Sequence, residues 1–341
     1  MLAIYKRMIL VIIVSLLVAG CTQSEPTISS QPNTETPFQP LVTTSQPPPT
    51  EAPTVTAVSP AKTTLPPTLT ETATPPPSQT AVPTTTATTW ITPTAPSTDV
   101  EGLRITILYD NYLYDERLTP EWGFAALVEY KGHTVLFDTG GSGTLMVNMH
   151  LLGVDPKVIE AVVLSHEHLD HIGGLTHLLA EADQPTVYML ASFPAGFKNS
   201  IAGLTNVVEV THTMEIFPGI HTTGSVTGAI REQALAIMTE GGSVIITGCS
   251  HPGIARMVRE GRSSLQPGVD EYAPVALVVG GFHLLRESPA QIERVIATMQ
   301  SLNVQRISPT HCTGDVAIAM FAEAFGEGYT PGGAGKVFVL P

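Results

Sequence analysis

The sequence predicts one layered α/β or α+β domain behind a long N-terminal extension, and three observations carry that expectation. Apolar runs of strand length recur from residue 103 onward. Between several of them lie stretches with apolar residues three and four apart, the spacing of a helix that buries one face. Titratable and metal-ligating residues follow directly on the ends of the runs, which places chemistry at the rim of a sheet.

In chain order, residues 1–21 read MLAIYKRMILVIIVSLLVAGC, with Lys6 and Arg7 ahead of an apolar run that ends in small residues. That is the layout of an export signal segment. Its end, Leu17-Val18-Ala19-Gly20-Cys21, resembles a bacterial lipobox, which implies a lipoprotein whose modified cysteine begins the mature chain. The alternative is an uncleaved anchor helix; either predicts an extracytoplasmic protein held at the bacterial membrane. Residues 22–98 are dominated by Pro, Thr, Ser, Gln and Ala, as in QPPPTEAPTVTAVSP. Such a segment buries too little apolar surface to offset the entropy of ordering, so a disordered, semi-stiff linker is expected.

The 341 residues carry 16 Lys+Arg against 30 Asp+Glu, a formal charge of -14, with 11 His and 3 Cys. A surface of that sign repels phosphate backbones, and no basic cluster offsets it, so nucleic acid is not an expected partner. Residues 100–341 remain for one domain with a substantial core. Strands are predicted at 103–109, 124–130, 134–138, 161–165, 186–190, 234–239, 243–248, 275–280 and 304–308. Helical stretches are predicted at 143–153, 173–182, 252–260 and 289–302.

The ends of these runs converge on one chemistry. Asp138 follows TVLF, His166 follows AVVLS, Cys249 and His251 follow SVIITG, His283 follows VALVVGGF, and His311 follows RISPT. In His166-Glu167-His168-Leu169-Asp170-His171, alternation along an extended segment puts His166 and His168 on one side, where both can bind a single ion. A turn before the helix that begins at GGLTHLL would aim Asp170 and His171 at a second position. Imidazole and carboxylate suit Zn2+, with Mn2+ or Fe2+ admissible where oxygen ligands dominate. Cys249 and Cys312 either pair as a disulfide or belong to these motifs.

HEHLDH resembles the HxHxDH signature of the metallo-β-lactamase fold superfamily, and FDTG (137–140) resembles its early aspartate motif. The likeness runs from about Leu103 to the end and implies a four-layer αβ/βα sandwich. LYDN, TGCSHPGI, GGFHLL and PTHCTG are similar to the branch named after the archaeal dihydropterin ribofuranosylaminobenzene-phosphate synthase. Carried over, the resemblance implies His166 and His168 at a first metal, Asp170 and His171 at a second, and His311 closing the second site. The third ligand of the first site is His251 or His221, the latter in HTTGSV, with His251 favoured by its strand-end position. Relatives carry a bridging aspartate where Cys249 stands here; a thiolate there would favour zinc. Asp138 is read as orienting a ligand histidine rather than binding metal.

The implied reaction is hydrolysis of a small-molecule ester, phosphoester or lactone by a metal-bound hydroxide, with two zinc ions expected. Asp170 is the candidate proton acceptor and His283 the candidate proton donor or substrate contact. The alternatives are a metal-retaining surface protein that binds or senses without turnover, and a dihydropterin-phosphate synthase-like enzyme. A flavodiiron-type oxidoreductase is disfavoured, since that class usually has glutamate where His168 stands.

Overall fold

The computed structural model describes residues 102–341 apart from 267–269 and 271–272. The export segment, the lipobox-like Cys21 and the linker lie outside the described residues. Among the described residues no helix is long and apolar enough to cross a membrane.

Thirteen strands form two sheets among the described residues. The first has the order β13-β1-β2-β3-β4-β5-β6, built from β1 (Leu103–Asp110), β2 (Phe124–Tyr130), β3 (His133–Phe137), β4 (Ala161–Val163), β5 (Thr186–Leu190), β6 (Val207–Val210) and β13 (Val337–Leu340). The second has the order β12-β11-β10-β9-β8-β7, from β7 (His212–Phe217), β8 (Ile220–Gly224), β9 (Leu235–Thr239), β10 (Gly242–Thr247), β11 (Val275–Gly281) and β12 (Ile307–Thr310). Helices α1 (Thr144–Leu152), α2 (Leu169–Ile172), α3 (Leu175–Leu179) and α4 (Ala195–Ala202) follow strands of the first sheet. Helices α5 (Ile254–Ser264), α6 (Pro289–Ser301) and α7 (Asp315–Phe325) follow strands of the second.

The period-two alternation of the strands explains the layering. Ile105, Ile107, Val128, Val135 and Phe137 of the first sheet meet Ile237, Val244, Ile246 and Val279 of the second in one buried cluster. Their neighbours face outward: Leu127, Leu136 and Val162 pack on Leu145 and Met149 of α1 and Leu175 of α3. On the other side Ile245 and Val278 pack on Met257 and Val258 of α5 and Ile292 of α6. The result is the four-layer αβ/βα sandwich. β3 runs parallel to β4, and β10, β11 and β12 are mutually parallel. Both sheets therefore send the carboxyl ends of these strands to loops that can share one rim.

Two differences from the sequence expectation have local causes. The helix after HEH begins at Leu169, with His168 as its N-cap in extended backbone (φ -71, ψ 142), not at GGLTHLL. Asp170 and His171 thus ride on the first turn of a helix rather than on the turn before one. The last parallel strand is Ile307–Thr310 rather than 304–308. Its Pro309 is tolerated because β12 is an edge strand, whose outer side needs no donor.

Candidate metal centre

The loop after β4 and the loop after β10 bring His166, His168 and His251 together. His166 Nε2 lies 3.1 Å from His168 Nδ1, and His251 Nε2 lies 3.2 Å from each of them. A single N–H can serve only one edge of such a triangle, so the three nitrogens are converging lone pairs. Ligands about 2.0 Å from a tetrahedral ion are spaced about 3.3 Å apart, so the triangle fits zinc with little adjustment. Burial, followed by the surrounding imidazoles, holds His166 well below the usual histidine range. The same causes lower His251 to about 3, which keeps its ring neutral and able to ligate.

A second set gathers Asp170, His171, Cys249 and His311. Cys249 Sγ lies 3.2 Å from His171 Nε2 and 3.4 Å from His311 Nε2. Asp170 Oδ2 lies 3.4 Å from His311 Nε2 and 3.7 Å from His171 Nε2. Burial opposes ionisation of Asp170, yet His311 and His171 hold it below the usual carboxylate range. Cys249 also groups with His166 and His251, their ligating atoms all within 4.8 Å of one another. Its sulfur therefore stands between the two sets, at the position the family resemblance gives to a bridging aspartate. Both Cys249 and Cys312 are free and buried, so the disulfide alternative is set aside. The hydrogen bond to Cys312 and then burial push the Cys249 thiol up; burial works to raise Cys312, but Cys249 and His283 together bring it down.

Each inward nitrogen is set by what the other nitrogen does. Asp138 Oδ2 accepts from His171 Nδ1 at 2.7 Å, and Asn111 Oδ1 accepts from His311 Nδ1 at 2.9 Å. Ser165 Oγ donates to Asp138 Oδ2 at 2.7 Å, so it must accept from His166 Nδ1 at 2.9 Å. In each ring, once neutral, Nε2 is the nitrogen whose lone pair faces the centre. Burial works to lower His171, but the Asp138 carboxylate raises it to about 9. Thr310 Oγ1 donates to Asp110 Oδ2 at 2.7 Å, tying the end of β1 to the end of β12 beside Asn111 and His311.

Glu232 and Asn111 carry roles that the sequence reading did not assign. Fully buried, Glu232 accepts from the backbone N–H groups of Cys249 (2.9 Å), Ser250 (2.8 Å) and His251 (2.8 Å). Burial pushes its carboxyl to about 7 against those three bonds. Its only sequence signal is a charged residue just ahead of a buried strand, which nothing links to a loop seventeen residues later. Asn111 ends the LYDN motif, but its partner His311 lies two hundred residues away.

His221 is not part of the centre. It sits within β8, paired with Ala236 of β9, and its Nε2 is 3.7 Å from Glu215 Oε1. A mid-strand position aims a side chain at a sheet face, whereas the loop after β10 carries His251 to the rim. His283 stands at the mouth, exposed, with its ring centroid 4.3 Å from that of His251. Trp122 flanks the other side, 4.8 Å from the His311 ring. Asp138, Ser250, His283 and His311 all have φ between 52° and 64°, a left-handed conformation disfavoured for side-chain-bearing residues. That backbone strain is concentrated around the centre, as expected for a functional site.

Residues 119–258 match the family profile described as the metallo-beta-lactamase superfamily. The chain carries a metallo-β-lactamase domain. This metallo-β-lactamase domain is an enzyme of that superfamily, built on its metal-dependent hydrolase fold. Over 290 residues the chain is 29% identical to the 7,8-dihydropterin-6-methyl-4-(beta-D-ribofuranosyl)-aminobenzene-5'-phosphate synthase of Methanocaldococcus jannaschii, covering 70% of this chain and 97% of that protein. It is similar to the crystal structure of Tm1679, a metal-dependent hydrolase of the beta-lactamase superfamily, with a TM-score of 0.58 and 27% identity over 70% of this chain and 99% of the other. The metallo-beta-lactamase fold protein YhfI from Bacillus subtilis aligns with a TM-score of 0.51 at 15% identity, covering 70% of this chain and all of that one, a likeness of fold alone.

Proposed function

We propose that the domain hydrolyses a small-molecule ester, phosphoester or lactone with two zinc ions, one held by His166, His168 and His251, the other by Asp170, His171 and His311. The observation that carries this is the position of Cys249, whose sulfur groups with ligating atoms of both sets. Bound zinc would supply a Lewis acid and a water acidified toward neutrality. The remaining work falls to the chain. Asp170, ionised and half-buried, is placed to accept a proton from an incoming water. His283, raised by its hydrogen bond to Cys312 and then held back by burial, is placed to donate one to the leaving group. Asp138, Asn111 and Ser165 keep the histidine tautomers fixed.

The test is elemental analysis of the purified chain together with a panel of phosphodiester, lactone and ester probes. His166→Ala and Asp170→Ala should each lower turnover by at least about a hundredfold, on the scale of losing one group that acts only in the transition state. Undiminished turnover, or a chain without stoichiometric zinc, manganese or iron, overturns the reading. A synthase reading is favoured by identity spread across 97% of the Methanocaldococcus protein, whose name is that of a synthase. It predicts condensation of a phosphate-bearing substrate with no cleavage of the probes. The proposed location, extracytoplasmic and lipid-anchored, rests on Leu17-Val18-Ala19-Gly20-Cys21. Cys21→Ser should move the protein out of the membrane fraction.

A further inference from the structure

Beside the centre lies a cavity of about 510 Å³ whose inner wall is Ser250, His251 and His283. That volume is in the range of small-molecule sites, which run from about 300 to about 1,000 Å³. Its two long sides are helices α5 and α6, and their sequences place arginines on the facing surfaces. Arg256 and Arg259, three apart, share one face of α5; Arg294 lies with Val295 and Thr298 on the face of α6 that lines the same space.

The three arginines are not equivalent. Arg256 is engaged, its Nη1 donating to the Thr227 carbonyl at 2.7 Å and its Nε 3.8 Å from Glu260. Arg259 and Arg294 have no side-chain hydrogen bond or ion pair among the described residues. Against the three stands one acidic residue in the lining, Glu287. In a chain with 30 acidic and 16 basic residues this is a local reversal of sign. Both guanidinium groups are exposed and line one cavity, so neither gives up a protein partner to meet an anion there. Ile254, Leu284 and Val295 add apolar lining that suits an organic body rather than a bare ion.

We infer that this cavity seats the anionic group of the substrate, a small organic phosphate or carboxylate whose charge is taken by Arg259 and Arg294 while the bond to be broken lies at the His251–His283 wall. Guanidinium forks match both anions with paired hydrogen bonds, so the two share one chemistry and differ in affinity. The inference deepens the proposed hydrolase reading and rests on it for the bond that is cleaved, though not for the binding itself.

The test titrates benzoate, phenyl phosphate and uncharged benzamide into the full-length metal-bearing chain by calorimetry. The wild type is expected to bind both anions and not benzamide, and the tighter of the two names the anion. Arg259→Ala/Arg294→Ala should weaken anion binding by about tenfold or more, the loss of at least one charge-assisted pair, and the double lysine variant should recover part of it. Arg104→Ala, a matched charge loss on β1 paired with Glu129, should leave binding as it was. Unchanged anion affinity in the double alanine variant would place the anion on the metal centre alone and overturn the inference, as would equal binding of benzamide. A second readout is the ratio of kcat/KM for 4-nitrophenyl hemisuccinate to that for 4-nitrophenyl butyrate, expected to fall by about tenfold in the same variant. If no ester turns over at all, the hydrolase reading fails while the calorimetric result still decides the anion site.

Discussion

At Cys249 a thiol stands 3.2 Å from His171 Nε2 and 3.4 Å from His311 Nε2, at the position where the family resemblance implies a bridging carboxylate. Thiolate favours soft ions, so Cys249→Asp should shift the bound metal from zinc toward manganese after dialysis against equal amounts of both. Zinc affinity should fall by at least about tenfold, the lower end of what loss of even a supporting partner costs. Asp138 gives a second prediction. It raises His171 to about 9, well above the unfolded value of about 6.5. In the metal-free chain this contribution to stability is complete below about pH 6.5 and is lost as pH rises through about 9. Asp138→Asn should therefore destabilise the metal-free chain most below pH 6.5, with the gap to wild type closing toward pH 9. Denaturation midpoints across pH measure it. Metal binding runs the other way, since His171 must give up its proton; zinc affinity should climb with pH up to about 9 in the wild type.

Among the elements, the connection from β10 to α5 is held by a residue from the preceding hairpin. Glu232 satisfies three consecutive backbone donors that would otherwise be buried without partners. Gly248 completes the fit, because a Cβ there would strike Ser165 Oγ and lie 2.9 Å from Asp138 Oδ2. Glu232→Ala should cost at least about 3 kcal/mol in urea denaturation, at about 1 kcal/mol or more for each buried donor left unpaired. It should also lower metal content, since the loop that carries Cys249 and His251 loses its anchor. This scale also shows where sequence patterns fail. The edge strand β7 is almost entirely exposed and has no apolar run to betray it. The short helix α2 has too few residues for any periodicity, so the sequence pattern places a helix only from GGLTHLL onward. The long parallel strands, buried on both faces, were the most legible elements because continuous apolar runs have few other uses.

For the whole molecule, the centre is assembled from loops at the carboxyl ends of β1, β3, β4, β10, β11 and β12, spanning residues 111 to 311. Ions bound there would link both sheets of the sandwich, so chelation should lower the thermal midpoint of the full chain. A ligand at about a thousandfold over its Kd stabilises by about 4 kcal/mol, which sets the scale of the loss. Scanning calorimetry with and without chelator, followed by zinc replacement, measures it. The sequence by itself determined a layered α/β domain through local alternation, and its resemblance to the metallo-β-lactamase superfamily implied the sandwich, the HEHLDH half of the centre and an orienting part for Asp138, all carried by residues close along the chain. Only the tertiary structure decided for His251 over His221, set Cys249 between the two ligand sets, and revealed Glu232, Asn111 and the arginine-lined cavity. Those depend on which loops meet across two sheets, and local periodicity fixes the face a side chain takes but not the distant residue it finds there.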